Sequence, residues 1–179
     1  MAGLKRTLLV ALTLATAPLA GEKTMQLEPD WEYVADTVMG GVSVGQLSQE
    51  EVAGRNAARL TGEVSLDNNG GFIQMAFDLA QGEVLDASDW QGIEVELRGN
   101  GATYEMRLRT DALTRPWQSY RAEFMAGDAW QTLRLPWADF EPRKTDVPFD
   151  PARLRRIGIL AIGSEMQADV AVSAIRFFR

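Results

Sequence analysis

The 179-residue sequence contains no cysteine and no histidine, and both absences restrict its chemistry. A chain without cysteine has no disulfide, no thiolate nucleophile and no thiolate metal ligand. A chain without histidine has no imidazole base, which excludes a Ser-His-Asp triad and histidine-based zinc sites. Any catalysis would depend on carboxylates, hydroxyls, amines or guanidinium groups. The composition therefore favours a non-catalytic protein that uses no cofactor.

Positive charge is also scarce, because 18 Lys and Arg residues face 25 Asp and Glu residues and the formal net charge is −7. A surface this acidic repels the phosphate backbone of nucleic acids and the headgroups of anionic lipids. The charge therefore predicts that the protein binds neither nucleic acid nor a membrane surface through electrostatic attraction.

A long hydrophobic run occurs at the N-terminus, in residues 1–20. Lys5 and Arg6 precede an apolar segment that ends in small residues, which is the pattern of a secretory signal peptide. The run is too short to cross a bilayer comfortably, since a membrane-spanning helix needs about 20 apolar residues. We predict cleavage after Ala17 or Ala20, and a mature chain that is periplasmic or secreted and does not insert into the membrane.

The remaining sequence is predicted to be a short polar linker, 21–30, followed by one domain, 31–179. Within this domain, apolar and polar residues alternate with the period of two that is typical of half-buried strands. Turn residues such as glycine and asparagine separate the segments. The predicted strands are 57–66, 71–79, 92–99, 103–111, 119–126, 130–137, 156–163 and 169–178. Short strands at this spacing predict an all-β fold, an antiparallel β-sandwich of jelly-roll type.

Two glycine-containing segments are candidates for structural motifs. The first, ADTVMGGVS, contains Asp36, Met39, Gly40, Gly41 and Ser43. The second, DNNGGF, contains Asn69, Gly70, Gly71 and Phe72. Consecutive glycines allow a tight turn or bulge, but they can also form an amide-lined nest for an anion. We interpret the first segment as primarily architectural, and we keep ligand contact as the alternative.

Charged residues on the middle strands are the candidate binding surface. Acids and bases that meet across paired strands would form an ordinary solvated face. On the concave face of a jelly roll, however, Arg98, Arg107 and Arg109 would lie beside Trp117 and Tyr120. Guanidinium groups bind hydroxyls and carboxylates, and aromatic rings stack on apolar ring faces. These five residues are therefore the predicted binding residues.

Two other chemistries deserve a test, although both signals are weak. Paired carboxylates such as Glu94 with Glu96, or Glu96 with Glu105, would suit a hydrolase, but alternating acids occur on many solvated strands. The acidic and amide side chains of 67–69 are candidate calcium ligands, but the segment lacks a recognisable ligand spacing. The sequence therefore predicts neither catalytic residues nor a metal site.

Several ordered motifs resemble one known family. They are WEYVADTVMGGVS (31–43), LTGEVSLDNNGGF (60–72), GIEVELRGNGATY (92–104), FMAGDAWQTLRLPWADFEP (124–142) and IGIL (157–160). Together they resemble the NADH:ubiquinone oxidoreductase complex I intermediate-associated protein 30 family. Here the chain would be a bacterial, exported member, because its N-terminus is a predicted export signal and not an Arg-rich transit peptide.

The resemblance implies a galactose-binding-like β-sandwich that acts by binding. Eukaryotic members are mitochondrial chaperones that help to assemble respiratory complex I by binding partner proteins, without known catalysis. For this chain it implies that the segments 36–43 and 67–72 hold the fold or a binding edge. We therefore expect an exported, non-catalytic binding module, similar to an assembly factor, with a protein partner. The alternative is a carbohydrate-binding module.

Overall fold

A computed structural model describes residues 23–179. The predicted signal peptide, 1–20, lies outside the described residues. The strands of the described part are β1 Thr24–Gln26, β2 Glu32–Ala35, β3 Val44–Val52, β4 Arg55–Val64, β5 Phe72–Asp78, β6 Gly92–Gly99, β7 Thr103–Thr110, β8 Ser119–Met125, β9 Gln131–Pro136, β10 Glu141–Arg143, β11 Leu154–Ile162 and β12 Met166–Phe178.

The strands form two facing antiparallel sheets, which confirms the predicted β-sandwich. The first sheet has the order β3-β4-β12-β6-β9, and β1 also pairs with β12. The second sheet has the order β10-β8-β7-β11-β5-β2. Strands distant in sequence are neighbours in both sheets, so most of the fold depends on long-range pairing.

The core lies between the two sheets and follows the predicted alternation. Ile93, Val95 and Leu97 on β6 are fully buried, as are Met106 and Leu108 on β7. Burying an aliphatic side chain stabilises the folded state by about 1.5–3 kcal/mol. A chain without disulfides obtains its stability from this packing.

The shortest and most exposed strands were missed from the sequence. Strand β3 is an edge strand whose side chains are mostly exposed, so its sequence, VGQLSQEEV, carries no hydrophobic alternation. Strands β1, β2 and β10 have only three or four residues each. Strand β1 also places part of the predicted linker, 21–30, in the first sheet, through its pairing with β12.

Strands β6 and β7 belong to different sheets, although they are consecutive in sequence. The charged residues of 92–99 and 103–111 therefore do not meet across a ladder. Those of β6 lie on the first sheet and those of β7 on the second. No helix in the described range 23–179 has the length and apolar character needed to cross a membrane.

A candidate ligand-binding groove

The second sheet carries a groove of about 770 Å³, which we call the second-sheet groove. Its floor comes from β5, β11 and β7, and its rim from the loops after β2, β7 and β10. Its lining includes aliphatic, aromatic and cationic side chains: Val34, Val38, Met39, Phe72, Leu160, Ile162, Trp117, Arg107, Arg109, Arg143, Lys144, Arg155 and Arg156. The groove therefore offers both apolar and positively charged surface to a ligand.

Strand register separates the apolar and cationic ends of the groove. Ile162 of β11 pairs with Phe72 of β5 at one end, and Arg156 pairs with Asp78 at the other. Leu160, which is 2% exposed, lies between these two positions on β11. A ligand that spans the groove would therefore meet apolar and cationic surfaces in turn.

Exposed apolar side chains line part of this groove. Val38 and Met39 are 72% and 64% exposed, and Trp117 is 52% exposed. The guanidinium carbon of Arg115 lies 6.0 Å from the centroid of the Trp117 ring, within cation–π range. An apolar surface of this kind beside polar groups is typical of a binding site.

The structure brings together three of the five predicted binding residues. Arg107, Arg109 and Trp117 all line the second-sheet groove. Arg98 lies on β6 in the first sheet, where its guanidinium donates a hydrogen bond to the carbonyl of Asp128. Tyr120 is fully buried, and its hydroxyl donates to the carbonyl of Pro148. Arg98 and Tyr120 therefore do not belong to this surface, contrary to the prediction from the sequence.

The apolar end of the groove is held by the buried carboxylate of Asp36. Its oxygens accept hydrogen bonds from the backbone amide of Ser43 at 3.0 Å and from the Ser43 hydroxyl. They also accept from the amides of Gly71 at 2.6 Å and Phe72 at 3.3 Å. We call this arrangement the Asp36 knot. It ties both predicted glycine segments together, and it fixes the loop that carries Met39 beside Phe72.

The glycines of these segments leave room for that carboxylate. A Cβ atom on Gly41 would lie 2.3 Å from Asp36 Cγ, and one on Gly70 would lie 2.5 Å from Asp36 Oδ2. Gly40 serves a different purpose, because its φ of 89° is the left-handed conformation that ends the turn Asp36–Met39. Asn69 also has a positive φ, of 57°, in the second segment.

The sequence model of the family described as "Complex I intermediate-associated protein 30 (CIA30)" matches residues 22–172. The chain belongs to the CIA30 family. The match includes the Asp36 knot and all the residues of the groove discussed above. No curated protein matches the sequence.

Solved structures similar to this CIA30-family protein include carbohydrate-binding modules. The family 11 module of the cellulosomal cellulase Lic26A-Cel5E of Clostridium thermocellum has a TM-score of 0.69 and 13% identity, with 89% of this chain and 95% of that chain covered. A family 11 module from the same organism, in complex with a β-1,3-1,4-mixed-linked tetrasaccharide, has a TM-score of 0.66 and 12% identity, with coverages of 89% and 96%.

A third similar structure is the family 30 module of the cellulase Cel9D-Cel44B of Clostridium thermocellum. Its TM-score is 0.60 at 16% identity, and the coverages are 87% of this chain and 96% of that chain. At these identities the similarity shows the fold alone. It confirms the jelly-roll sandwich predicted from the sequence.

The carboxylate pairs considered for hydrolysis are occupied by arginines in this CIA30-family protein. Glu94 accepts hydrogen bonds from Arg176 and Arg134, and Glu96 is paired with Arg55 and Arg176. Burial alone would raise the pKa of Glu94, but these arginines outweigh it and hold the pKa below its ordinary value. Such a carboxylate stays ionised and is a poor general acid.

The pairing of Glu96 with Glu105 is not possible in this fold. Glu105 lies on β7 in the second sheet, where Arg107 and Arg121 contact its oxygens at 2.8 and 2.9 Å. Glu96 lies on β6 in the first sheet. At the segment considered for calcium, Asp67–Asn69 form a 3₁₀ turn, and no group of three acidic side chains within 23–179 converges on a metal position.

Sequence reasoning missed several cations of the groove, above all Arg155 and Arg156. A regular strand would place these neighbours on opposite faces. The register of β11 against β7 shifts between Leu154 and Arg156, and both arginines line the groove. A bulge of this kind re-aims side chains. The sequence signal was the RLRR run at 153–156, but only the pairing shows where its charges lie.

The Asp36 knot predicts a specific loss of stability in acid. Burial alone would raise the pKa of Asp36, but hydrogen bonds from Ser43, Gly71 and Phe72 hold it below the ordinary value. Stability from a carboxylate with a lowered pKa is present above its unfolded pKa of about 3.9 and is lost as pH falls through the folded pKa. The free energies of unfolding of wild type and Asp36→Asn, measured with urea, should therefore differ most at pH 7. This difference should become smaller below about pH 4. A difference that stays constant down to pH 2.5 would show that the Asp36 carboxylate is not ionised in the folded protein.

Proposed function

We propose that this protein is an exported, non-catalytic binding module that holds a segment of a partner protein in the second-sheet groove. The observation that carries the proposal is the exposure of Val38, Met39 and Trp117 on one groove. Met and Trp are enriched at protein–protein interfaces, and Trp often contributes a large part of the binding energy. Membership of a family named for association with complex I assembly intermediates supports a protein partner.

The shape of the apolar lining favours a peptide over a sugar. Sugars stack on flat aromatic rings, whereas the apolar end of the groove combines one aromatic side chain, Phe72, with four that are not aromatic: Val34, Val38, Met39 and Ile162. Branched and flexible side chains form pockets that accommodate the side chains of a peptide. The Asp36 knot keeps this wall in place before binding, which lowers the entropic cost of association.

Carbohydrate binding is the second candidate function. Its support is the structural similarity to carbohydrate-binding modules and the exposed ring of Trp117, which is suited to stacking on a pyranose. The arginines of the groove would then donate hydrogen bonds to hydroxyls. The two functions use the same surface, so the choice of ligand in one experiment decides between them.

The test is a selection of peptides from a random phage-displayed library on the purified protein, run in parallel with a glycan array. Peptides selected on wild type should bind Trp117→Ala at least about tenfold more weakly, because an anchoring aromatic contributes a large part of the binding energy. Met125→Ala is the matched control, since Met125 is 63% exposed and lies outside the groove lining.

Equal binding of the selected peptides to wild type and Trp117→Ala would contradict the proposed site. Binding of a saccharide that is lost in Trp117→Ala, with no peptide dependent on this residue, would favour the second function. Both variants change exposed side chains, so their unfolding curves should match that of the wild type within about 0.5 kcal/mol.

A further inference from the structure

Unpaired cations converge on the second-sheet groove, although the chain as a whole is acidic. Many arginines elsewhere in the described part are neutralised by acids: Arg59 by Asp169, Arg121 by Glu105, Arg153 by Asp111, Arg176 by Glu94 and Glu96, and Arg179 by Asp89. Arg109, Arg143, Lys144 and Arg155 all line the groove, and none of them forms an ion pair with a described acid. We call these four residues the cationic cluster.

Strand pairing forces like charges together at the centre of this cluster. Arg109 of β7 lies directly opposite Arg156 of β11, and the bulge adds Arg155 to the same groove. Like charges directly opposite one another on a sheet are destabilising. Asp78 and Glu32 neutralise Arg156. The positive charges of Arg109 and Arg155 are therefore not neutralised by a described acid.

Arg109 is only partly satisfied in the folded protein. Its Nη2 donates to the carbonyl of Arg115 at 3.1 Å, but its Nε is buried and has no acceptor among the described residues. Burial, with Arg156 and Arg155 nearby, lowers the pKa of Arg109 from its ordinary value. An anion at this position would relieve both the missing hydrogen bond and the repulsion.

Two buried hydroxyls add to the polar character of the same region. Thr110, which follows Arg109 and lines the groove, is 3% exposed, and Ser119 is 4% exposed. The hydroxyl oxygens of both residues lack a hydrogen-bond partner within the described range. Ser119 pairs with Arg143 of β10, so it lies beside another member of the cluster. Buried polar atoms without partners are unusual and call for an explanation, and a bound ion is one of the known ones.

We propose that the cationic cluster is a carboxylate-binding subsite, and that the bound segment carries Asp or Glu next to apolar side chains. This inference rests on the proposed function and names the chemistry of its partner. Guanidinium groups bind carboxylates through paired, charge-assisted hydrogen bonds. A long polyanion would be repelled by the acidic remainder of the protein, whereas a short acidic segment meets only the cluster.

Hexaglutamate is the probe that tests the subsite, with hexaglutamine as the uncharged match. NMR titration at low ionic strength should shift the Arg109 Nε–H signal with hexaglutamate and leave it in place with hexaglutamine. Arg155→Gln should weaken binding of hexaglutamate about two- to fivefold, as expected for loss of one solvent-exposed charge pair. Arg155 is exposed, so this variant tests the subsite without disturbing the core.

Arg98→Gln is the matched control, because Arg98 also lacks a described acid partner but lies on the first sheet. It should bind hexaglutamate as the wild type does. Equal effects of Arg98→Gln and Arg155→Gln, or no shift of Arg109 Nε–H, would overturn the subsite. An oligogalacturonate that binds the cluster in place of hexaglutamate would overturn its assignment to a protein segment.

The two proposals can fail separately. If hexaglutamate does not bind but Trp117-dependent peptides do, the groove binds a segment that is not acidic, and the carboxylate subsite is wrong. If hexaglutamate binds at the cluster but no peptide depends on Trp117, the subsite stands, and the proposed binding of a protein segment through Trp117 is wrong.

Discussion

Replacing Asp36 with alanine is expected to lower the free energy of unfolding by about 3 kcal/mol or more, because each buried donor left without an acceptor costs about 1–3 kcal/mol. The carboxylate is fully buried and is the acceptor for the amides of Ser43, Gly71 and Phe72. For a domain of this size the loss corresponds to a fall in Tm of roughly 6–12 °C. Urea denaturation followed by tryptophan fluorescence measures it.

Asp67→Ala is the control for this prediction. Asp67 belongs to the same pair of segments, but it is exposed. Its loss should change the unfolding free energy by no more than about 0.5 kcal/mol. The free energy of unfolding of Asp36→Asn should lie between those of Asp36→Ala and Asp67→Ala. An amide side chain keeps one acceptor oxygen, but it places its own N–H groups against other donors. An Asp36→Ala protein within 1 kcal/mol of wild type would show that the knot does not stabilise the fold.

Gly41→Ala is expected to destabilise the protein almost as strongly, by about 3 kcal/mol, the upper end for overpacking of a closely packed site. The new Cβ would lie 2.3 Å from Asp36 Cγ and 2.5 Å from Oδ1, far inside van der Waals contact. The carboxylate cannot move away without losing its hydrogen bonds to Ser43 and Gly71. Calorimetry of the purified variant tests the prediction.

Neighbouring Gly40 separates this steric cause from a backbone cause. A Cβ on Gly40 would meet nothing within 4 Å, but its φ is +89°. Gly40→Ala should therefore cost about 1–2 kcal/mol through strain, and Gly40→Asn less, because asparagine tolerates the left-handed region. Gly41→Asn should lower the free energy of unfolding at least as much as Gly41→Ala, because both residues carry the Cβ atom that clashes with Asp36.

A double variant identifies the atom that causes the clash. In an Asp36→Ala background the nearest carboxylate atoms are gone, and the remaining contact is with Asp36 Cβ at 2.8 Å. The cost of Gly41→Ala should then be clearly smaller than in the wild type, which is the non-additivity expected of residues in contact. Full additivity would show that Gly41 is required for a different reason.

Local sequence pattern was sufficient for the class of fold. The alternation of Ile93, Val95 and Leu97 with charged neighbours specifies a strand with one buried face, whatever it pairs with. It was insufficient for the edge strand β3, whose exposed side chains are free of that constraint. The local pattern also does not predict which strands pair with each other, so it could not show that β6 and β7 belong to different sheets.

The glycine segments also show what the local sequence predicts and what only the tertiary structure reveals. Adjacent glycines at 40–41 and 70–71 predicted sharp turns from the sequence, as expected for residues without a Cβ. Their common cause is the Asp36 carboxylate, which accepts a hydrogen bond from the amide of Gly71, 35 positions away along the chain. No local pattern encodes a contact of that separation.

The sequence by itself determined that this chain has neither thiol nor imidazole chemistry, that it forms short amphipathic strands, and that it is acidic overall. Each of these follows from residue identity or from the orientation of neighbouring side chains along a strand. The tertiary structure decided which charges face each other. In the folded protein Tyr120 is buried, Arg98 lies on the opposite sheet and a bulge in β11 places Arg155 beside Arg109. Register across a sheet depends on pairing between segments that are distant in sequence. The cationic groove therefore follows from the tertiary structure and could not be predicted from the sequence alone.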